Sequence, residues 1–528
     1  METRIGRFDE LPDGVPVQVK AAGRPVLLVR LGDEVHALPA RCTHRPRPLA
    51  GGLLHGGRLM CPSHQASFDV RTGDALEPPA LDALTKYAVS VRDGDVYVEI
   101  PEGAPARRPM PMWPYDPESD RRTFAIVGAG GAGAVAAETL RQAGYQGRIL
   151  LISREAHLPY DRPGCSVDYL SGKVGGEQLP LRSADFYEHH HIERWHAEVS
   201  RLDVPLRAID FSDGERLRPD AVLIATGGVP RRLPVPGADL EGVLVLRSWD
   251  DSDAIIAAAE KSAAAVVVGA GFVGLEVAAG LRRRGLDVTV VAPEALPLGP
   301  LLGGRIGRLV RGVHETAGVR FELGHSVAAL VGDGHVDAVR LDDSRELPAR
   351  LVVIGIGVRP ATRFVEGLPL ADDGGIDVDE QLRAAPGVWA AGDVARYPDS
   401  YSGSRVRIEH WRTAQQHGRA AALSMLGKGE PFVGVPFFWT HQHRLALAFV
   451  GCLQGWDDVV FDGDVESGDF MAFFFAGGRL RGAGGTRGEQ LGAFAELMRS
   501  HTLPDAARLR RHADLDLVDL LREAPGSG

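Results

Sequence analysis

A multidomain chain of mixed α/β plus β class is predicted, on three observations. The 528 residues exceed what a single hydrophobic core serves. A strand, a glycine-rich turn and a helix follow one another twice, where Phe124–Val127 leads into Gly128 and Ala265–Val268 leads into Gly269. A stretch carrying Pro105, Pro109, Pro111, Pro114 and Pro117 sets these units apart from a preceding region of different texture.

Residues 1–102 read as a β-rich domain, since short apolar runs such as Val26–Leu31 and Val96–Ile100 lie between Gly and Asp turns. Residues 103–121 form an extended, semi-rigid spacer. The duplicated units predict two Rossmann-like domains, one discontinuous over 122–248 and 375–408, the other over 249–374. From 409 to 528, aromatic clusters (Phe437, Phe438, Trp439 and Phe473, Phe474, Phe475) and alternating runs predict a separate α+β domain, with Ala524–Gly528 as a frayed end.

Composition narrows the function. A formal net charge of -11 lacks the basic surface that phosphate neutralisation needs, so no nucleic-acid partner is expected. Met1–Leu11 has no basic segment followed by an apolar core. Ala263–Val268 and Leu351–Ile356 are too short to span a bilayer. Four cysteines, Cys42, Cys61, Cys165 and Cys452, are too few for a disulfide scaffold. A cytoplasmic protein with no membrane association is expected.

Cys42-Thr43-His44 is followed, sixteen residues later, by Cys61-Pro62-Ser63-His64. Two Cys and two His so arranged fit a Rieske [2Fe–2S] centre, with thiolates on one iron and imidazoles on the other. A zinc site with the same four ligands is the rival, but zinc folds space the first pair by two to four residues rather than one. Phe68-Asp69, Arg71-Thr72-Gly73 and Pro78-Pro79 extend a resemblance to the ferredoxin-type Rieske family over nearly the whole first domain. Ala66 and Phe68 stand where high-potential members place hydroxyls. By that resemblance the potential should lie near the low end of the range, about −150 mV. Pro46 and Gln65 replace glycines common in the family.

Gly128, Gly130 and Gly133 form the first glycine fingerprint, and Gly269, Gly271 and Gly274 the second. Glycines allow the tight turn and let a pyrophosphate approach the helix N-terminus. Two such sites in one chain imply two dinucleotides exchanging a hydride. Further segments are Leu158-Pro159-Tyr160-Asp161-Arg162-Pro163, Ala225-Thr226-Gly227-Gly228, Ala391-Gly392-Asp393-Val394, Glu409-His410-Trp411 and Phe437-Phe438-Trp439-Thr440. Together they resemble the two-dinucleotide flavoprotein family (the pyridine nucleotide-disulfide oxidoreductase fold), in its ferredoxin-reductase and apoptosis-inducing-factor-like branch. The likeness runs from about Thr123 to Leu509. It implies FAD on the first loop and a nicotinamide dinucleotide on the second. Asp393 would bond the FAD ribityl or phosphate region, Arg162 and Ala225 would lie in the FAD site, and Trp411 and Trp439 would pack near the isoalloxazine.

NADH is favoured over NADPH, because Gly274 is retained and no Arg follows Asp287–Val291 where a 2′-phosphate would need one. Ala292 sits at the strand end, so Glu294 is assigned to the ribose. On the FAD side Arg154 takes the usual acid position and Glu155 is assigned the role.

The family pattern breaks at Cys165-Ser166-Val167. The family lysine near the flavin's hydride-accepting nitrogen is replaced by Val167, while its glutamate partner remains as Glu276. A lone buried carboxylate there must be protonated or paired otherwise. Cys165 lies near where single-cysteine flavoenzymes keep a redox cysteine, and a helix N-terminus could lower its thiol pKa. The bland alternative is an apolar replacement for the family's leucine. Glu276, Trp439 and Cys165 are the candidate catalytic residues.

The expected function is an NADH-dependent FAD reductase that passes single electrons to its own Rieske cluster and on to an acceptor protein such as an oxygenase component, with His44 and His64 as the exit. The alternatives are direct reduction of a small molecule, through Cys165 or at the flavin, and a slow, apoptosis-inducing-factor-like NADH oxidase or redox sensor.

Overall fold

The computed structural model describes residues 1–511 and 516–523, so the expected frayed end from Ala524 lies outside the described residues. The first domain is β throughout. Glu2–Arg7, Asp95–Glu99 and Ala88–Arg92 form one sheet and Val17–Ala21, Arg24–Leu31 and Glu34–Pro39 a second. A third sheet, Leu53–His55, Arg58–Met60, Ser67–Asp69 and Ala75–Glu77, carries the Cys61 loop between its second and third strands. Leu27, Leu38, Leu59, Phe68 and Leu84 are buried together with Cys42 and Cys61, because alternate residues of each strand face one side.

Two open parallel sheets follow. The first runs in the order Ile192–His196, Arg148–Ser153, Thr123–Val127, Ala221–Ile224, Val388–Ala390, with antiparallel Arg383–Ala385 at its edge. The second is parallel throughout, in the order Val243–Val245, Leu351–Ile354, Ala264–Val268, Asp287–Ala292, Arg320–Leu323. Their central strands are β-branched runs covered on both faces, as βαβ connectivity requires.

The C-terminal sheet is antiparallel, in the order Phe437–Gln442, Leu445–Gly451, Arg479–Gly485, Asp469–Ala476, Asp458–Asp464, and is backed by helices Gly488–Arg499 and Leu517–Glu523. Beyond the boundary expected at 409, the chain still contacts the first Rossmann unit. Helix Trp411–Met425 packs along helix Gly131–Gln142 and buries Ala414, Ala421, Ala422 and Met425 in the core of the first Rossmann unit. Small residues on both helices permit that close approach, with a Cβ on Gly418 falling 2.1 Å from the Ala132 carbonyl oxygen.

The proline-rich segment is pinned rather than free. Arg107–Arg108 pairs with Ala83–Leu84, the Trp113 N–H donates to the Arg141 carbonyl, and the Asp116 N–H donates to that of Gln146. Among the described residues, no helix is long and apolar enough to cross a membrane.

Candidate active site

Each glycine of the two loops has its own geometric reason. Gly128 and Gly269 both have φ of 110°, a region L side chains avoid. A Cβ on Gly133 would fall 1.8 Å from the Gly128 carbonyl oxygen, and one on Gly274 2.2 Å from that of Gly269. Helix and strand can therefore pack closely only without side chains there. Gly130 and Gly271 differ, because a Cβ on either meets nothing within 4 Å. Both stand at the N-caps of helices Gly131–Gln142 and Phe272–Arg283, facing open space. Both loops border one cavity of 920 Å³, large enough for dinucleotides. The cradle, the free N–H groups and the helix termini fit pyrophosphate groups.

Glu155, Arg162, Ala225, Asp393, Trp411 and Trp439 all line this cavity. Burial pushes the Glu155 carboxyl up, but Arg162 at 2.9 Å and the Tyr160 hydroxyl at 2.5 Å outweigh it and hold it below the usual range. Asp393 sits on a turn, Gly392–Val394, at the end of the central sheet and accepts from Arg247 at 2.8 Å. The Trp411 ring lies against the first loop, 3.0 Å from where a Gly131 Cβ would be. Glu294 is exposed on the loop after Ala292 and does not line the cavity.

At the centre of the cavity wall, Glu276 has no ammonium partner, since Val167 replaces the lysine. Its Oε2 accepts from the Ser166 hydroxyl at 2.7 Å and its Oε1 from that of Thr440 at 2.8 Å. Burial raises it to about 7 against these two donors. Cys165 differs from the expectation of an activated thiol. It lies within a π-helical segment, Cys165–Tyr169, rather than at an exposed helix start, and is 2% exposed. Burial pushes its thiol up to about 12, so it packs as an apolar side chain against Tyr160 and Leu179. It borders the cavity, but as a buried, protonated thiol rather than an activated one.

Cys42, His44, Cys61 and His64 converge outside the cavity, in the first domain, with the His44 and His64 rings 5.0 Å apart. Burial, then the adjacent Arg45, lowers the His44 imidazole to about 3. Burial, then His44 and His441, holds His64 well below its ordinary value. Both rings are neutral, as metal ligation requires. The Cys42 thiol hydrogen-bonds Cys61 and lowers Cys61 to about 7, helped by the N–H groups of Ser63 and His64. His44 Nδ1 is buried without a partner. Among the described residues, the only group of three or more donor atoms within 4.8 Å of one another is His325, Asp342 and Asp343, on the surface. Ligands of one zinc ion would crowd that closely, whereas a two-iron cluster spreads its thiolates and imidazoles apart. The donor set fits the cluster. The Ser63 hydroxyl adds a smaller lowering of Cys61.

The ligand set and the cavity meet at Trp439. Its ring lies 4.5 Å from that of His64, centroid to centroid, and borders the cavity on its other side. His64 is only 7% exposed and lies against Trp439 rather than at the solvent edge. The contact is clamped by Arg45, which pairs with Asp161 at 2.9 Å and with Asp168. Arg182 bonds Asp82 at 2.6 Å, and the buried Arg412 donates to the carbonyls of Pro78 and Gln65. These arginines, with Arg247, Ser166 and Thr440, escaped the sequence reading. Ser166 and Thr440 stand within segments singled out for other residues, whereas the clamp partners are far apart in the chain.

Comparison with known proteins matches the pyridine nucleotide-disulphide oxidoreductase family over residues 122–418, the Rieske [2Fe-2S] domain over 2–88 and the reductase C-terminal domain over 437–521. Apoptosis-inducing factor 3 of Homo sapiens is 37% identical over 90% of this chain and 80% of its own length. The benzene 1,2-dioxygenase system ferredoxin–NAD(+) reductase subunit of Pseudomonas putida is 36% identical over 68% of this chain and 87% of its own. The covalent putidaredoxin reductase–putidaredoxin complex superposes with a TM-score of 0.71 at 29% identity, covering 76% of this chain and 99% of that one. With two dinucleotide loops on one cavity and a matched N-terminal domain, the chain belongs to the pyridine nucleotide-disulphide oxidoreductase family, as an FAD- and NAD(P)H-type oxidoreductase fused to a Rieske domain.

Proposed function

We propose that the chain is an NADH-dependent FAD reductase whose own Rieske cluster is the first one-electron acceptor, relaying to an acceptor protein such as an oxygenase component or its ferredoxin. The reading rests on the His64–Trp439 contact, which joins a cluster ligand to the wall of the dinucleotide cavity. Bound FAD would take up a hydride and release its two electrons singly. The first loop, Glu155, Arg162 and Asp393 would hold FAD; the second loop would hold NADH, without the cavity contact expected of Glu294. Cys42, His44, Cys61 and His64 would hold the cluster, with His64 as the entry. The exit would then be the His44 loop, where Pro46, Arg47 and Pro48 are exposed. Relatives of dioxygenase systems named as ferredoxin reductases support an electron-carrying partner. Free cysteines are in keeping with a cytoplasmic location.

Anaerobic titration with NADH, followed by absorbance and electron paramagnetic resonance, tests this. Flavin bleaching should be accompanied by a reduced-cluster signal, absent in His64→Ala. A cluster that stays oxidised while the flavin bleaches, or zinc in place of iron, would overturn it.

A second reading is favoured by the match to apoptosis-inducing factor 3 across both domains and by the loss of the lysine at Val167. It is a slow NADH oxidase that acts as a redox sensor. Sluggish turnover with a long-lived reduced flavin would select it.

A further inference from the structure

A hydride entering the cavity carries one proton and two electrons. If the electrons leave singly to a metal cluster, NADH yields NAD⁺, two electrons and one proton, and the cluster takes only the electrons. The proton needs its own acceptor. We propose that Glu276 is that acceptor, that the proton is loaded on Oε2, and that Ser166 is the switch that lets it bind and then leave to solvent water through the cavity Glu276 lines. This inference rests on the electron path proposed above.

The hydrogen bonds around Glu276 are directional. His314 Nε2 donates to Gln442 Oε1 at 2.9 Å, Gln442 Nε2 to Thr440 Oγ1 at 2.8 Å, and Thr440 Oγ1 to Glu276 Oε1 at 2.8 Å. Thr440 has one proton, and its oxygen is already occupied by the Gln442 amide, so it remains a donor to Oε1. Gln442 Oε1 can only accept, so His314 carries its proton on Nε2, and burial keeps the ring otherwise neutral, lowered to about 4. Oε1 is thereby reserved as an acceptor.

Oε2 is different because its partner has a second place to donate. The Ser166 hydroxyl lies 2.7 Å from Oε2 and 3.3 Å from the Pro163 carbonyl oxygen. When Glu276 is a carboxylate, Ser166 donates to it. When Glu276 is protonated, its O–H donates to Ser166 Oγ and the hydroxyl turns to Pro163. Neither state leaves a buried polar atom unpaired, so both are accessible at modest cost. A lysine at position 167 would fix the charged state, and Val167 does not.

The surroundings leave the group poised. On the elements packed against helix Phe272–Arg283, the titratable side chains are Cys165, Asp168 and Tyr169, His441, and Asp287 at the far end beside Arg282. Strands Ala264–Val268 and Leu351–Ile354 carry none. Asp168 raises Glu276, burial raises it more, and the two hydroxyls oppose them. The result, about 7, suits a group that must bind and release a proton near neutrality.

The test uses the FAD- and cluster-loaded protein. Infrared titration should show a protonated carboxyl band that titrates near neutrality, is missing in Glu276→Gln, and moves to higher pH in Ser166→Ala, which removes a donor to the carboxylate. In stopped flow, Glu276→Gln should slow the electron-leaving step relative to the hydride step by about 100-fold and flatten its pH profile. Ferricyanide, a one-electron acceptor, is run in parallel with the cluster. If only ferricyanide is reduced, yet with the Glu276 dependence, the electron path fails and the proton assignment stands. An infrared spectrum unchanged in Glu276→Gln, or the same pH profile in Ser166→Ala as in the native protein, overturns the assignment.

Discussion

The rings of His64 and Trp439 lie 4.5 Å apart and tilted by 51°, a cluster ligand against the wall of a dinucleotide cavity. No other aromatic ring contact joins the first domain's ligand pairs to a cavity-lining residue among the described residues. Trp439→Leu should therefore slow cluster reduction while NADH still bleaches the flavin. The two absorbance changes, followed in one stopped-flow trace, separate the effects. Equal slowing of both would show that Trp439 acts on flavin binding alone.

Arg45 holds the first domain on the flavin-binding body through Asp161 and Asp168. Arg45→Ala removes two charge-assisted hydrogen bonds, worth about 1.5–3 kcal/mol each where burial is good and less at this half-exposed site. Docking should loosen and become sensitive to salt. Small-angle scattering would report a larger radius of gyration, and proteolysis within residues 103–121 would quicken.

Cys165→Ser should leave acceptor reduction unchanged. The thiol is buried and its pKa is pushed up to about 12, so it lacks the thiolate that nucleophilic chemistry needs. Native protein should resist iodoacetamide at this position, as mass spectrometry would show. Fast labelling would reopen a thiol route.

His417 is fully buried, its Nδ1 accepts from the Gly392 N–H, and burial lowers it to about 3. A depressed folded value means that its neutral form supports the fold above the unfolded pKa near 6.5. That support is lost as pH falls from about 6.5 toward 3. Lowering the pH to 5 should thus cost about 2 kcal/mol through this group. Urea unfolding of the flavin-binding unit, compared at pH 8 and 5, should show a smaller difference in His417→Asn.

Legibility in the sequence followed the range over which each constraint acts. Gly128 and Gly269 are bound by local backbone geometry, and the Cys42-Thr43-His44 and Cys61-Pro62-Ser63-His64 spacings by short loops, so single segments displayed them. The strand–turn–helix succession likewise showed both Rossmann units and the β-rich first domain. Contacts between distant segments were not displayed. Arg45 meets Asp168 and Arg412 meets Gln65 across the folded chain, and nothing in either neighbourhood marks the pairing. His64 lies against Trp439 of the last domain, a contact that no residue near either marks. The amphipathic pattern of helix Trp411–Met425 does not say which partner it covers.

The pinned proline-rich segment has a kinetic consequence. Since Arg107–Arg108 is a strand of the first domain and Trp113 and Asp116 bond the next, the covalent join keeps flavin-binding body and cluster domain at one-to-one ratio and at a fixed local concentration. On the proposed electron path, dilution, which starves a reductase that must meet a separate ferredoxin by diffusion, should leave this first encounter untouched. Only the later meeting with an outside acceptor should obey second-order kinetics.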